Sequence, residues 1–99
     1  MLNISKKSDG SALTVTLEGR LDTSTAPELE ETLKDGLDNV TDLVFDLKEM
    51  QYISSAGLRV LLSAQKVMNK KGTMVIRNAS EQIREIFDVT GFSDILTIE

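Results

Sequence analysis

The sequence predicts a single α/β domain built on a mixed sheet of four to five strands with about three main helices. One observation is an apolar run at residues 43–47, followed by apolar residues at helical spacing over 58–70 and by a second apolar run at 74–76. Strand, helix and strand in this order form a central βαβ unit, whose crossover is right-handed in nearly all proteins. A second observation is a two-residue alternation near the N-terminus, which adds an antiparallel hairpin. Ninety-nine residues, 40% of them apolar, suffice for one core and are too few for two.

The hairpin is predicted on either side of Ser8-Asp9-Gly10, where Gly10 supplies the positive φ that a tight turn needs. Apolar residues alternate with polar ones in both arms, and they are Leu2, Ile4, Leu13, Val15 and Leu17. One face of the hairpin should therefore be buried. The segment 19–22 is predicted to leave the strand.

A first helix is predicted to open within residues 23–28. Thr25, followed three residues later by Glu28, matches a capping box, and Pro27 is tolerated in a first turn because its missing N–H would be unpaired there. The apolar line of this helix consists of Leu29, Leu33, Leu37 and Val40.

The run 43–47 is almost continuously hydrophobic, which is typical of a parallel strand that is covered on both faces. We therefore expect Val44 and Phe45 to point to opposite faces of the sheet and both to be largely buried.

The central helix is predicted to bury one face and to end at Lys70-Lys71-Gly72, where two cations and a glycine favour termination. The buried face consists of Val60, Leu61, Ala64, Val67 and Met68. The opposite face consists of Arg59, Ser63, Lys66 and Lys70. Ser63 and Lys66 match the S-x-x-K pattern of a nucleophilic serine, but the companion motifs are missing, so we interpret this string as a solvated helix face.

A last helix is predicted after a cap at Asn78 or Ser80, and Gly91 ends it. Its apolar residues are Ile83, Ile86 and Phe87. Residues 95–98 are the candidate for a short terminal strand.

The composition excludes much catalytic chemistry. The chain has neither cysteine nor histidine, so a Ser-His-Asp triad, thiolate catalysis and Cys- or His-ligated metal sites cannot be built. Eleven basic against sixteen acidic residues give a net charge of -5, which argues against nucleic acid or an anionic membrane surface and favours a partner with a basic face. No apolar run approaches the ~18 residues of a membrane span and no signal-peptide pattern opens the chain, so we expect a cytoplasmic protein without direct membrane insertion.

Two serines, Ser54 and Ser55, lie at the predicted start of the central helix. The N–H groups of a first turn are unpaired and the macrodipole is positive there, so a serine hydroxyl can cap the helix or a phosphate on that serine can be held. Ser54 or Ser55 is the predicted cap. Gly57 costs about 1 kcal/mol relative to alanine in a helix, so its presence indicates close packing or close approach by another molecule. The local pattern leaves open an ordinary cap and a phosphorylation site.

Asp22 and the two serines are predicted to form one exposed patch, although they are far apart in the sequence. Both segments leave strands toward helix N-termini, and open sheets of this type gather functional loops at the carboxyl ends of their strands. Leu58 and Leu62 either extend this patch with apolar contacts or belong to a wide core face, and the pattern leaves both possibilities open.

The order of the elements and three short strings resemble a STAS domain over residues 2–98. The strings are Gly-Arg-Leu-Asp at 19–22, Tyr-Ile-Ser-Ser-Ala-Gly-Leu at 52–58 and Val-Thr-Gly-Phe at 89–92. More narrowly, the chain resembles the stand-alone anti-sigma factor antagonists, or anti-anti-sigma factors. Their usual signature is Asp-Ser-Ser/Ala-Gly-Leu, and Ser54 stands where that signature has aspartate.

The resemblance implies a partner-switching role. Matching the signature from Gly57 backwards places the phosphoacceptor at Ser55, which an anti-sigma factor that is also a serine kinase would phosphorylate and a PP2C-type phosphatase would reset. The unmodified protein would bind the anti-sigma factor and so free the sigma factor. The implied partner-binding residues are Asp22, Thr23, Ser54, Ser55, Ala56, Gly57 and Leu58. The ATP belongs to the kinase, so neither a cofactor nor an enzymatic activity is expected in this chain.

Two other functions stay open. The same fold serves as a regulatory subunit or domain of membrane transporters, and a small-ligand or nucleotide sensor is the third possibility. Nothing in the sequence resembles a Walker loop or a Gly-rich dinucleotide turn, so the sensor ranks last.

Overall fold

The computed structural model describes residues 2–99, apart from the side chain of Asp35. Its sheet contains β1 (Leu2–Asp9), β2 (Ala12–Leu21), β3 (Asp42–Ile53) and β4 (Thr73–Arg77), in the spatial order β1-β2-β3-β4. The helices are α1 (Ala26–Gly36), α2 (Ser55–Lys71) and α3 (Glu81–Thr90), followed by a 3₁₀ turn at Phe92–Asp94. β1 pairs with β2 in antiparallel fashion, whereas β2 with β3 and β3 with β4 are parallel. The predicted α/β class, mixed sheet, three helices and central βαβ unit are confirmed.

The terminal strand is reduced to a single bridge between Ile76 and Ile98. The Ile76 N–H donates to the Thr97 carbonyl, and the Glu99 N–H donates to the Ile76 carbonyl. A regular strand over 95–98 does not form, because Ile95 still donates its N–H to the Phe92 carbonyl of the 3₁₀ turn.

β2 is longer than its sequence predicts. The hairpin turn has the predicted place, with Asp9 opposite Ala12 and Gly10 at φ +64°. The strand does not end at Gly19, however, but continues to Leu21 through two register shifts against β3. Gly19 adopts φ +100°, which side chains other than glycine rarely tolerate, and so lets the strand bend and keep pairing.

The sheet buries one of its faces. Leu43, Phe45 and Leu47 of β3 are buried, while Val44 and Asp46 between them are only half-buried. The expectation that Val44 is largely buried is therefore wrong, because the buried side chains of the helices join the cluster that contains Phe45. The continuous apolar run marks a central strand, and the second face stays partly open.

The helices follow their predicted apolar lines with one exception. The predicted apolar line of α1, from Leu29 to Val40, is buried as expected, although the helix ends at Gly36 and the last two residues of the line follow it. In α2, Val67 is 43% exposed and does not belong to the core. At the end of α2, the Lys71 ammonium donates to the Leu37 carbonyl at the end of α1, and Gly72 serves as the C-cap. Within residues 2–99, none of the helices has the length and apolar character to cross a membrane.

The predicted cap is correct for α3 but not for α1. Ser80 caps α3 as one of the two predicted candidates, since its hydroxyl accepts from the Ile83 N–H at 3.2 Å. Thr25 is the N-cap residue of α1, but its side chain makes no capping hydrogen bond to the helix, so the capping box with Glu28 does not form. The Thr25 hydroxyl instead bonds to the backbone of the preceding turn, with the Asp22 N–H as donor and the Arg20 carbonyl as acceptor.

The start of α2 rests directly on the ends of β2 and β3 at Gly57. A Cβ added to Gly57 would lie 2.6 Å from Cγ of Leu21 and 2.9 Å from Cγ1 of Ile53. Both distances are shorter than van der Waals contact, so only glycine allows the helix to begin this close to the sheet. This explains the glycine in the first turn.

Replacing Phe45 with alanine should lower the free energy of unfolding by about 3 to 5 kcal/mol, because the buried ring leaves a cavity in the central strand. Val44→Ala, on the half-buried face of the same strand, is the matched control and should cost less. Chemical denaturation of both variants measures the difference. Equal losses in the two variants would contradict the one-sided core.

Gly57→Ala should lower the free energy of unfolding by up to about 2 kcal/mol, because overpacking costs about 1 to 3 kcal/mol and the better helix propensity of alanine returns about 1 kcal/mol. Gly36→Ala in α1 is the control, since an added Cβ there meets only the Lys6 ammonium, at 4.0 Å. Thermal melting should show a lower midpoint for Gly57→Ala alone. A stabilised Gly57→Ala variant would refute the close approach.

Candidate functional site

Two distant segments emerge side by side at the carboxyl ends of β2 and β3. Leu21 is the register partner of Ile53, and the Ser54 N–H donates to the Leu21 carbonyl at 2.9 Å. Asp22 and Ser54 follow these paired residues directly. The predicted juxtaposition of the two segments is therefore confirmed, but Asp22 and Ser54 are half-buried and only Ser55 of the three is exposed.

The Asp22 turn is held by its own carboxylate. One carboxylate oxygen of Asp22 accepts from the Ser24 hydroxyl at 2.8 Å, from the Ser24 N–H at 3.0 Å and from the Thr25 N–H at 3.1 Å. These bonds, with that from the Ser24 hydroxyl as the largest cause, lower the pKa of Asp22 below its ordinary 3.8. The turn therefore presents a fixed, ionised carboxylate in front of α1.

An arginine and a tyrosine flank this carboxylate. Arg20 lies with Nε 3.8 Å from Asp22 Oδ2, and its guanidinium carbon lies 4.4 Å from the centre of the Tyr52 ring. Arg20 and Tyr52 are register partners, and both are exposed. The site residues predicted from the sequence do not include this pair. Their common position two residues before Asp22 and Ser54 was the signal that could have identified them.

Ser54 and Ser55 differ in their hydrogen bonding and in their exposure. Ser54 is the N-cap of α2 in extended conformation, and its half-buried hydroxyl accepts from the Gly57 N–H at 3.4 Å. Ser55 is the first residue of the helix, and its side chain is exposed. Within residues 2–99 the Ser55 hydroxyl has no hydrogen-bond partner. Capping therefore uses Ser54 and leaves the Ser55 hydroxyl accessible.

The other residues expected at the partner surface lie at different depths. Thr23 is exposed and Ala56 is half-buried. Gly57 and Leu58 are buried, and the Leu58 side chain, at 4% exposure, belongs to the core. Of the two possibilities for Leu58, the core face is the one observed, because it lies one helical turn before Leu61 on the same buried stripe. Leu62 is half-buried.

A cleft of about 230 Å³ opens next to this surface, between the first turns of α1 and α2. Thr23 and Ala56 line its near end, while Pro27, Glu30, Arg59 and Ser63 extend it along the helices. The sequence predicts a solvated helix face for Arg59 and Ser63. Both residues are exposed, as predicted. They also line a cleft, which the periodicity of the sequence does not predict. The described residues contain no cluster of three or more side chains suited to holding a metal ion.

The lowered pKa of Asp22 gives a testable pH dependence. Since the folded-state pKa lies below the unfolded value, the ionised carboxylate stabilises the fold above the unfolded value, and this contribution disappears as the pH falls through the folded value. Asp22→Ala should therefore melt below wild type at pH 7 and converge with it toward pH 2. Asp22→Asn, which keeps an acceptor oxygen without the charge, should lie between them. A difference between Ala variant and wild type that does not change with pH would contradict the ionised turn.

Known proteins are similar to this chain over nearly its whole length. The family model described as "STAS domain" matches residues 3–99. The anti-sigma-B factor antagonist of Bacillus subtilis is 33% identical over 98 residues, which is 98% of this chain and 90% of that protein. An anti-sigma factor antagonist from Mycobacterium paratuberculosis superposes with a TM-score of 0.87 at 20% identity, covering 99% of this chain and 85% of that one. The Bacillus cell fate determinant SpoIIAA, in its phosphorylated form, superposes at 0.75 with 15% identity, covering 100% of this chain and 91% of that one. The chain therefore belongs to the STAS domain family and, within it, to the anti-sigma factor antagonists.

Proposed function

We propose that this protein binds an anti-sigma factor through the surface formed by Asp22, Thr23, Ser54, Ser55 and Ala56, and that phosphorylation of Ser55 weakens this binding. The observation that carries the proposal is the exposed Ser55 hydroxyl at the start of α2, which has no hydrogen-bond partner among the described residues and lies near the ionised Asp22 turn. The similarity to named anti-sigma factor antagonists supports the class of partner. Gly57 and Leu58 are buried, so they support this surface indirectly by fixing the position of the start of α2.

The start of α2 is suited to accept a phosphate without loss of the fold. The first turn of α1 contains Glu28 and that of α3 contains Glu81, whereas the first turn of α2 contains no acidic residue. An anion near a helix N-terminus interacts favourably with the macrodipole. A phosphate on Ser55 would supply the missing negative charge, while the Ser54 cap stays in place.

The same phosphate changes the surface that a partner meets. The unmodified Ser55 side chain is small and neutral, so a partner can close over it. A phosphate adds about -1.5 to -2 charge and three acceptor oxygens at that point. It would stand beside the Asp22 carboxylate, on a chain whose net charge is already -5. The proposed switch is thus a local change in charge and volume on a rigid surface.

The proposed partners follow from this mechanism. The kinase is an anti-sigma factor with serine kinase activity, a PP2C-type phosphatase removes the phosphate, and the reaction takes place in the cytoplasm. The chain itself acts as a substrate and a binding protein, with no cofactor of its own. Its relatives named as antagonists support a regulatory role.

Ser55→Glu should weaken binding of the anti-sigma factor of the same organism at least tenfold relative to Ser55→Ala, because it places a negative charge on the contact surface. Calorimetric titration measures the affinity, and melting curves should show that both variants stay folded. Ser8→Glu is the matched control, since Ser8 is also exposed but pairs with Leu13 at the other end of β2. It should bind like wild type.

The acceptor is identified by incubating the protein with the same anti-sigma factor and ATP and mapping the phosphate by mass spectrometry. Ser54→Ala should still be phosphorylated, whereas Ser55→Ala should not. If phosphorylated wild type, Ser55→Glu and Ser55→Ala all bind with equal affinity, the switch is wrong. If wild type does not bind the anti-sigma factor in either state, the proposed partner is wrong.

A further inference from the structure

An open groove runs between α1 and α2, on the side of the helices away from the sheet. We infer that this groove is a docking site for an amphipathic helix of the partner that closes over Ser55, an inference that rests on the proposed function. The groove has a volume of about 470 Å³. It is large enough to take several side chains of a partner helix.

The floor and one rim of the groove are apolar. The floor is formed by Leu33 and Leu37 of the α1 segment and by Val60 and Ala64 of α2. Val67 stands at the α2 rim and is 43% exposed, although its position in the helical pattern predicts a core residue. A valine that the core does not cover, in line with an apolar floor, is available for contact with another molecule.

The walls of the groove decide between a helix and an extended strand as the occupant. Both walls are helices, whose backbone N–H and C=O groups are paired within each helix, so a strand laid between them would find no backbone partners. A helix satisfies its own backbone and can place an apolar ridge in the groove, with anchors at positions i, i+3 or i+4 and i+7. The groove therefore favours a helical segment.

The charges along the groove set the chemistry of that segment. The wall from α1 presents three acidic side chains, Glu30, Glu31 and Asp38. Lys34 is a basic residue on the same wall. The α2 side contributes Lys71 to the groove and Arg59 to the adjoining cleft. A complementary helix carries basic residues along its α1-facing edge, in agreement with the basic partner that the net charge of -5 favours.

The groove is continuous with the proposed Ser55 surface. Pro27, Glu30, Val60 and Ser63 line both the groove and the cleft that reaches Thr23 and Ala56. At the other end, the hydrogen bond from the Lys71 ammonium to the Leu37 carbonyl joins the two helices. A partner that covers Ser55 can thus continue along the groove as far as this bond.

The experiment compares two exposed valines on different helices. Val67→Glu should weaken binding of the anti-sigma factor of the same organism at least tenfold by titration calorimetry, because it places a charge on the apolar rim. Val89→Glu on α3 is the control, since Val89 is 77% exposed and lies outside the groove, and it should bind like wild type. Glu31→Lys should also weaken binding, whereas Glu85→Lys on α3 should not. Melting curves confirm that each variant is folded.

The outcomes separate this inference from the proposed function. If Ser55→Glu weakens binding while Val67→Glu and Glu31→Lys bind like wild type, the groove is not the docking site and the proposed function stands. If Val67→Glu changes only the sedimentation of the protein alone from dimer to monomer, the occupant is a second copy and the inference is wrong. If the wild type does not bind the anti-sigma factor at all, both are wrong.

Discussion

The parallel pairing of β2 with β3 up to Leu21 and Ile53 is the constraint on which the site depends. It places the Leu21 carbonyl where the Ser54 N–H can bind it, so the two chain segments leave the sheet at the same point. Gly57 lets α2 begin in direct contact with the same two side chains. A shorter β2, such as one that ended at Gly19, would leave Ser54 without this partner and Asp22 without a fixed position.

Hydrogen bonds hold the two segments of the site in place. The Asp22 carboxylate takes up the N–H groups of the turn before α1, and Ser54 takes up an N–H of the first turn of α2. The Ser55 hydroxyl takes part in neither set of hydrogen bonds. A residue without a structural duty can be modified at little cost to stability, and this distinguishes Ser55 from its neighbour more sharply than the sequence does.

Local periodicity predicted the elements well, and it failed where neighbouring elements decide the result. The apolar line of α1 and the alternation in β2 were correct because burial on one face fixes them. Val67 and Val44 were expected in the core, but Val67 lines a groove between two helices, and Val44 is half-buried and lies outside the core cluster. Thr25 matched a capping box, yet its hydroxyl bonds to the strand end at Arg20. Such long-range competition for a polar group or a covering surface has no signature in a single sequence.

The sizes of two electrostatic free energies indicate whether a phosphate on Ser55 would affect mainly the fold or mainly the interface. Within the protein, an anion at a helix N-terminus is worth ~0.3 to 1 kcal/mol, too little to change the folded population. At an interface, an acidic group about 4 Å away costs about 4 kcal/mol at an effective dielectric constant near 20, and each 1.4 kcal/mol is a factor of ten in affinity. An arginine facing the site would reverse this sign.

The hydrogen bonds of the Asp22 turn favour a loss of binding under the proposed switch. The Ser24 and Thr25 N–H groups already bond to the Asp22 carboxylate, so they are not free to receive a phosphate oxygen. The first turn of α2 can satisfy part of the phosphate, and a partner that closes over the site would have to desolvate the remaining oxygens. Burying charged oxygens without full compensation is costly, so in the proposed switch a partner that fits the neutral serine would be released when the phosphate is added.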